Sequence, residues 1–300
     1  MLSAANRSDF LETVRRIEGH GYSTVFCPDH LNEQFAPTVA ITVAAEATTT
    51  LKVGAFVYCV DYRHPMVLAK EFATLDLLTE GRAEFGMGAG WMRSDYDASG
   101  IAYDRPGVRI ARLAEAVQIV RGLWSGRPFD FDGEHYSITG AVGSPTPHTP
   151  GGPPVIIGGG GKVVLSVAAR HADIVGFNPS LHEGVVGQGA ARSAVASEFA
   201  KRRQWVADAA GDRFDQIELQ LNTFMAVVTD DRDSLFEQLA SGFGLTPAEA
   251  AESPIVLAGT TAQICEQLQH HREVYGTSYI VVHEPEVDAF APVVAQLAGT

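Results

Sequence analysis

The chain has 300 residues, room for two domains of roughly 100 to 200 residues or for one large undivided barrel. With 46% hydrophobic and 19% charged residues it carries ample apolar mass for a buried core, which excludes a disordered chain. Its 22 Lys and Arg against 36 Asp and Glu leave a net charge of −14, and a surface that acidic repels phosphate backbones and anionic headgroups, so neither nucleic acid nor membrane is an expected partner.

In chain order, Asp9 with Glu12 three residues on reads as a helix start, and Phe10, Val14 and Ile17 recur at helical spacing until Gly19 and Gly21. Thr24 to Cys27 is a short apolar run of the length of a buried parallel strand. A helix over Thr38 to Thr48 leads to a strand over Lys52 to Tyr58. His64 belongs to the turn entering a helix that opens at Pro65 and carries Leu68, Phe72 and Leu75 on one face. Ala83 to Met87 reads as a strand, and Ile110, Leu113, Val117, Val120 and Trp124 mark one stripe of a long helix. Asp132-Gly133 between aromatic-containing runs predicts a surface hairpin near 129–138. After the Gly/Pro loop from Gly140 to Pro154 the alternation resumes with strand Val155 to Ile157, helix Val163 to His171 and strand Asp173 to Phe177. A helical segment around Ala190 to Ala209 and a strand within Leu219 to Val228 follow. A helical insertion then runs from Asp233 to Glu252, in a stretch read as inserted near 233–258. Helix Thr261 to Tyr275 and strand Tyr279 to Val282 come last.

Strands separated by helices imply right-handed β-α-β units and a parallel sheet, either a closed (β/α)8 barrel or an open doubly wound sheet. The pattern holds seven strands, and the first helix starts with no room for an ordinary strand before it. The expectation is therefore seven strands with an unclosed seam, or a strand made from a few residues near Leu2 to Ala4. Cys27, Cys59 and Cys265 lie far apart and form no C-x-x-C, which argues against a disulfide framework or thiolate zinc site and for a reducing, cytoplasmic setting. No long apolar run and no signal-peptide pattern is present.

Ligands of a parallel sheet gather at the C-terminal ends of its strands, which here places Asp29-His30, Tyr58 to His64, Gly88 to Tyr96, Gly158 to Lys162 and Asn178 together. Gly158-Gly159-Gly160-Gly161-Lys162 follows a strand and opens a helix, so its bare backbone N–H groups can approach an anion where the helix dipole favours one; a phosphate is the natural tenant, a plain tight turn the bland alternative. It is not a Walker A loop, because Ile156 and Val163 stand where Gly and Ser or Thr are required. Gly86-Met87-Gly88-Ala89-Gly90 lacks the spacing of a dinucleotide fingerprint and better suits a flat ring lying against the strand ends, with Trp91 as wall. His30, at a strand end, reads as a ring-contacting or proton-handling group against the commoner role of packing. No metal-ligand spacing and no G-x-S-x-G elbow occurs.

Gly21 to Leu31, Arg63-His64-Pro65 leading to Phe72 to Asp76, Gly81-Arg82 before Gly86 to Trp91, Leu123 to Gly126, Phe131 to Gly133, Pro153 to Gly161 and Gly259-Thr260 together resemble the bacterial luciferase-like monooxygenase superfamily. Within it, Asp61 to Pro65 and Gly90 to Tyr96 look most like the branch assigned to the deazaflavin coenzyme F420. The resemblance implies a TIM-type (β/α)8 barrel, here without a full first strand, acting on a small-molecule substrate, usually as a homodimer. It implies cofactor contacts at Asp29, His30, Ala55, Phe56, Ser94, Gly158, Gly159, Gly160, Gly161 and Lys162. Ala55-Phe56 falls where the family places a strained bulge behind the ring, often a non-proline cis peptide. His30 and Trp91 fall on catalytic positions; in the sugar-phosphate dehydrogenase members a Glu stands where this chain has Trp91, which argues against a sugar phosphate. The reading is one barrel domain over 1–300, an F420-dependent oxidoreductase. The alternatives are an FMN-dependent monooxygenase using dioxygen, and a flavin- or phosphate-binding barrel without turnover.

Overall fold

A computed structural model of the chain describes residues 6–300. The first helix, α1 (Arg7–Gly19), starts before Asp9: the Asn6 side chain accepts the Asp9 N–H at 3.1 Å and caps the helix, leaving Asp9 in the first turn where the dipole favours an acid. Its stripe of Phe10, Val14 and Ile17 is buried as the spacing requires. The chain then runs β1 (Thr24–Cys27), α2 (Pro37–Ala47), β2 (Lys52–Ala55), β3 (Tyr58–Cys59), α3 (Pro65–Leu78), β4 (Ala83–Gly88), α4 (Arg93–Ser99) and α5 (Pro106–Trp124). Next come β5 (Pro128–Asp132), β6 (Ser137–Val142), β7 (Val155–Gly159), α6 (Lys162–His171), β8 (Ile174–Phe177), α7 (Gln188–Arg192) and α8 (Ala196–Ala210). The last part holds β9 (Glu218–Asn222), β10 (Met225–Val228), α9 (Arg232–Phe243), α10 (Pro247–Ala251), β11 (Val256–Gly259), α11 (Thr261–Tyr275), β12 (Thr277–Val281) and α12 (Val287–Leu297).

The sheet is parallel in the order β1-β2-β4-β7-β8-β9-β12, with β3 prolonging the line of β2 by pairing with β4. All residues of β4 and β8 are buried, as expected of strands covered on both faces. Helices α3 and α5 lay Leu68, Phe72 and Leu75, and Leu113, Val117, Val120 and Trp124, against this sheet. His64 caps α3, its Nδ1 accepting the Met66 N–H at 3.2 Å, so it serves the turn rather than the site. The hairpin of β5 and β6 is antiparallel and is fastened to α5 by Glu115, whose carboxylate accepts the N–H groups of Glu134, His135 and Tyr136.

This is a TIM-type α/β barrel in which the described residues hold no strand before α1. Among the described residues β1 and β12 are not paired through their backbones, while the expected alternative near Leu2 to Ala4 lies outside the described residues. The two edges meet through side chains instead. The rings of Phe26 and Tyr279 are 6.1 Å apart, and the Tyr279 hydroxyl donates to Glu84 at 2.8 Å. Glu84 is 2% exposed and also accepts Lys52 Nζ at 3.1 Å. Burial, then the charge of Glu84, holds the Tyr279 hydroxyl far above its ordinary pKa, so it remains a donor.

Three expectations are corrected. The cis peptide joins Phe56 to Val57, one bond beyond Ala55-Phe56, and it separates β2 from β3. The strand read within Leu219 to Val228 is two: β9 stays in the barrel, and the chain then leaves it so that β10 pairs with β11. The insertion near 233–258 is therefore helical only through α10. Val256 to Gly259 is a strand, a fully buried apolar run whose β-branched start and flanking Pro254 and Gly259 suit that conformation.

Helix α1 is tied to the start of β2 by Glu18. Its Oε1 accepts the N–H groups of Thr50, Thr49 and Leu51 at 2.7, 2.8 and 3.1 Å. Burial raises its pKa, but these bonds outweigh it and bring the carboxyl down to about 2. A carboxylate with a depressed folded pKa contributes stability that is full above the unfolded value and is lost as pH falls toward the folded one. Acid denaturation should therefore show wild type losing about 1 kcal/mol between its unfolded pKa and about 2, after allowance for solvent screening, with Glu18→Gln flatter over that window. Parallel pH profiles for the two proteins would overturn this role.

Candidate active site

The C-terminal ends of the strands open into a cavity of about 850 Å³, within the range that holds a cofactor and a small molecule. Asp29, His30, Phe56, Trp91 and Gly158 to Gly161 line it, which unites most of the residues expected from the sequence. Ala55, Ser94 and Lys162 are not in its wall: Ala55 is buried in β2, and Ser94 and Lys162 are exposed in the first turns of α4 and α6.

His30 follows β1, and its Nδ1 lies 2.7 Å from Oδ2 of Asp95, a residue of α4 that is 3% exposed. Asp95 also accepts the Leu31 N–H at 3.3 Å and the Tyr62 hydroxyl at 3.2 Å. A carboxylate holding an imidazole in this way keeps the proton on Nδ1 and leaves Nε2 as the free ring atom. The indole of Trp91 stands edge-on to that ring, with centroids 5.5 Å apart. Asp29 is 5% exposed, and its Oδ2 accepts Arg63 at 2.6 Å and the Cys59 N–H at 3.1 Å, so it ties the ends of β1 and β3 together. Asp61 is held by Arg112 and by the Tyr96 hydroxyl at 2.7 Å. Burial pushes the Cys59 thiol up to about 11, which removes it as a nucleophile.

Arg109, 4% exposed, donates to the carbonyls of Ala89, Gly90 and Asp104 and covers the Tyr103 ring at 4.3 Å. Through Nε and Nη1 it fixes the turn after β4. On the facing side the glycine loop leaves β7 and opens α6, whose N-terminus has no side-chain cap. A Cβ on Gly160 would stand 2.4 Å from the Pro179 carbonyl oxygen, so only glycine lets the chain pass there. The loop and the flat wall of Phe56, Val57 and Trp91 fit a planar ring carrying a phosphate tail. Among the described residues no group of three or more His, Cys, Asp or Glu is placed to hold a metal, and no helix is long and apolar enough to cross a membrane.

The strand ends thus enclose a cavity with a glycine loop at an uncapped helix start in its wall and a carboxylate-held histidine in the same lining. The profile of the luciferase-like monooxygenase family matches residues 1–278, and the chain belongs to that family. It is 38% identical over 172 residues to the F420-dependent glucose-6-phosphate dehydrogenase of Rhodococcus hoagii, a match covering 54% of this chain and 50% of that protein. Thus the chain spans about half the length of the curated relatives it matches at this level. A longer match, 28% identical over 306 residues, covers 93% of this chain and 88% of the enzyme of the same name from Rhodococcus erythropolis. In fold it is similar to the coenzyme F420-dependent tetrahydromethanopterin reductase of Methanopyrus kandleri, with a TM-score of 0.78 at 18% identity over 97% of this chain and 94% of that one.

The His30–Asp95 contact makes a direct prediction. With the imidazole neutral, 15N chemical shifts should place the proton of His30 on Nδ1 in wild type. Asp95→Asn should give a mixture of tautomers, since an amide can meet Nδ1 as donor or acceptor. A wild-type ring protonated on Nε2 would show that Asp95 does not set the tautomer.

Proposed function

We propose that this protein is an oxidoreductase that binds coenzyme F420 and moves a hydride to or from a small uncharged organic molecule. The observation that carries the reading is the pairing, in one cavity, of the glycine cradle with a histidine whose only free ring atom is Nε2. The choice of F420 is supported by the relatives, which are named for that coenzyme. When bound, the deazaflavin supplies the hydride chemistry. The chain's own part is to hold the phosphate on the loop N–H groups, to back the ring with Phe56 and Val57, and to keep water off with Trp91. His30 Nε2 takes the hydroxyl proton as an alcohol is oxidised and returns it to the carbonyl oxygen in the reverse direction.

The walls also speak to the substrate. Arg109 is the only Arg or Lys among the described residues lining the cavity, and its Nε and Nη1 donate to backbone carbonyls, while the acids lining it, Asp29, Asp95 and Glu284, lie beside Arg63, His30 and Arg16. A sugar phosphate would find no Arg or Lys there beyond Arg109, which favours a neutral alcohol or carbonyl compound. We read 1–300 as one barrel domain working as a homodimer, and three buried free thiols fit a reducing cytoplasm.

Two measurements test the proposal. Fluorescence titration with each oxidised cofactor should give markedly tighter binding of F420 than of FMN. Tighter FMN binding with oxygen uptake after reduction would favour a monooxygenase, and binding of either without turnover on any alcohol or carbonyl would favour an inactive barrel. His30→Ala should lower kcat by about 10² to 10⁴ with little change in Tm, whereas unchanged kcat with early melting would make His30 a packing residue.

A further inference from the structure

Behind the glycine loop lies a charge that the fold itself leaves unanswered. Arg202, on α8, is only 2% exposed. Its Nε donates to the Gly160 carbonyl at 3.0 Å, its guanidinium lies 4.9 Å from the centre of the Phe199 ring, and its Nη1 is buried with no hydrogen-bond partner. It forms no ion pair among the described residues. Glu198, one turn earlier on the same helix, is engaged by Lys201 at 2.5 Å. Burial, opposed by the charge of Glu198, brings the Arg202 guanidinium down to about 10, so it stays protonated at neutral pH.

A buried cation without an anion is costly, and an apolar residue of similar volume is often the more stable choice. The Gly160 carbonyl alone does not account for a full charge, because a neutral donor would serve it as well. What Arg202 faces across that carbonyl is the loop lining the cavity, at the uncapped N-terminus of α6. An anion seated there would meet the loop N–H groups in front and the guanidinium charge one residue layer behind, in surroundings where water screens little.

We infer that Arg202 is a positioning residue for phosphate: it holds the Gly160 carbonyl back so that the loop N–H groups face the cavity, and the phosphate of the bound cofactor in the loop adds a counter-charge to the weaker pull of Glu198. The inference rests on the F420 reading above and adds a residue that does not line the cavity.

The test compares two ligands on the unliganded protein by fluorescence titration: the deazaflavin ending in its ribityl 5′-phosphate, and the same deazaflavin ending in the ribityl alcohol, which differs by the phosphate alone. Wild type should prefer the phosphate by at least tenfold. Arg202→Met should lose most of that preference, bind the alcohol as wild type does, and melt no earlier than wild type in the absence of ligand. Arg202→Lys, which keeps the charge without the guanidinium fork, should fall between them and carries the same comparison if the Met variant does not fold. A wild type that binds both ligands equally would overturn the phosphate reading itself. A wild type that discriminates, with variants that keep the same ratio or lose affinity for both ligands equally, would leave the loop as the phosphate site and overturn the role of Arg202.

Discussion

The Tyr279–Glu84 hydrogen bond is the interaction on which this barrel depends. A cylindrical sheet removes its edges by backbone pairing, and between β1 and β12 the described residues supply none. The tyrosine on the last strand reaches instead to a carboxylate on β4, while its ring meets Phe26 of β1. Glu84 would be expensive to bury alone, and Lys52 and Tyr279 between them satisfy it. Two neighbouring strands, β2 and β4, and the far strand β12 thus meet at that one side chain, near the starts of β2 and β4.

A second set of buried acids works above it. Asp29, Asp61 and Asp95 are each met by an arginine, a histidine or a tyrosine, so their charges hold strand-end loops in place and are not left facing a ligand. On the cavity side the Asp95 contact leaves His30 Nε2 as the free atom of its ring. Groups fixed this way reach their ligand without reorganising, which is the condition for useful electrostatics in a dry site.

Periodicity made the helices and most of the staves legible in the sequence: Leu113, Val117, Val120 and Trp124 repeat with the helix, and a short apolar run such as Val155 to Ile157 has one sensible home between a loop and a helix start. The glycine loop was legible because four glycines before a helix are hard to explain otherwise. What could not be read were pairings between residues distant in sequence. Asp95 is 65 positions from His30 and Arg202 is 42 from Gly160, and nothing local marks either as a partner. Trp91 drew attention through its motif, while Asp95, four residues on, carries the contact that orients the histidine. The strand Val256 to Gly259 was lost in a helical stretch because four apolar residues carry no period of their own.

The departure of β10 from the barrel has a modular consequence. After Asn222 the chain turns away, and Thr223, Phe224 and Ile255 form a notch in the rim that is also cavity wall. Phe224 rests edge-on against Phe243 of α9, with ring centroids 5.4 Å apart, and its N–H donates to the Ile255 carbonyl at 2.7 Å. The segment from β10 to β11 thus enters and leaves the barrel at the notch and touches the ligand space only there. A change in the helices between those two strands would therefore reach the ligand space through Phe224 and Ile255, while Phe236, Ala240 and Ala250 bind the same segment into the common core.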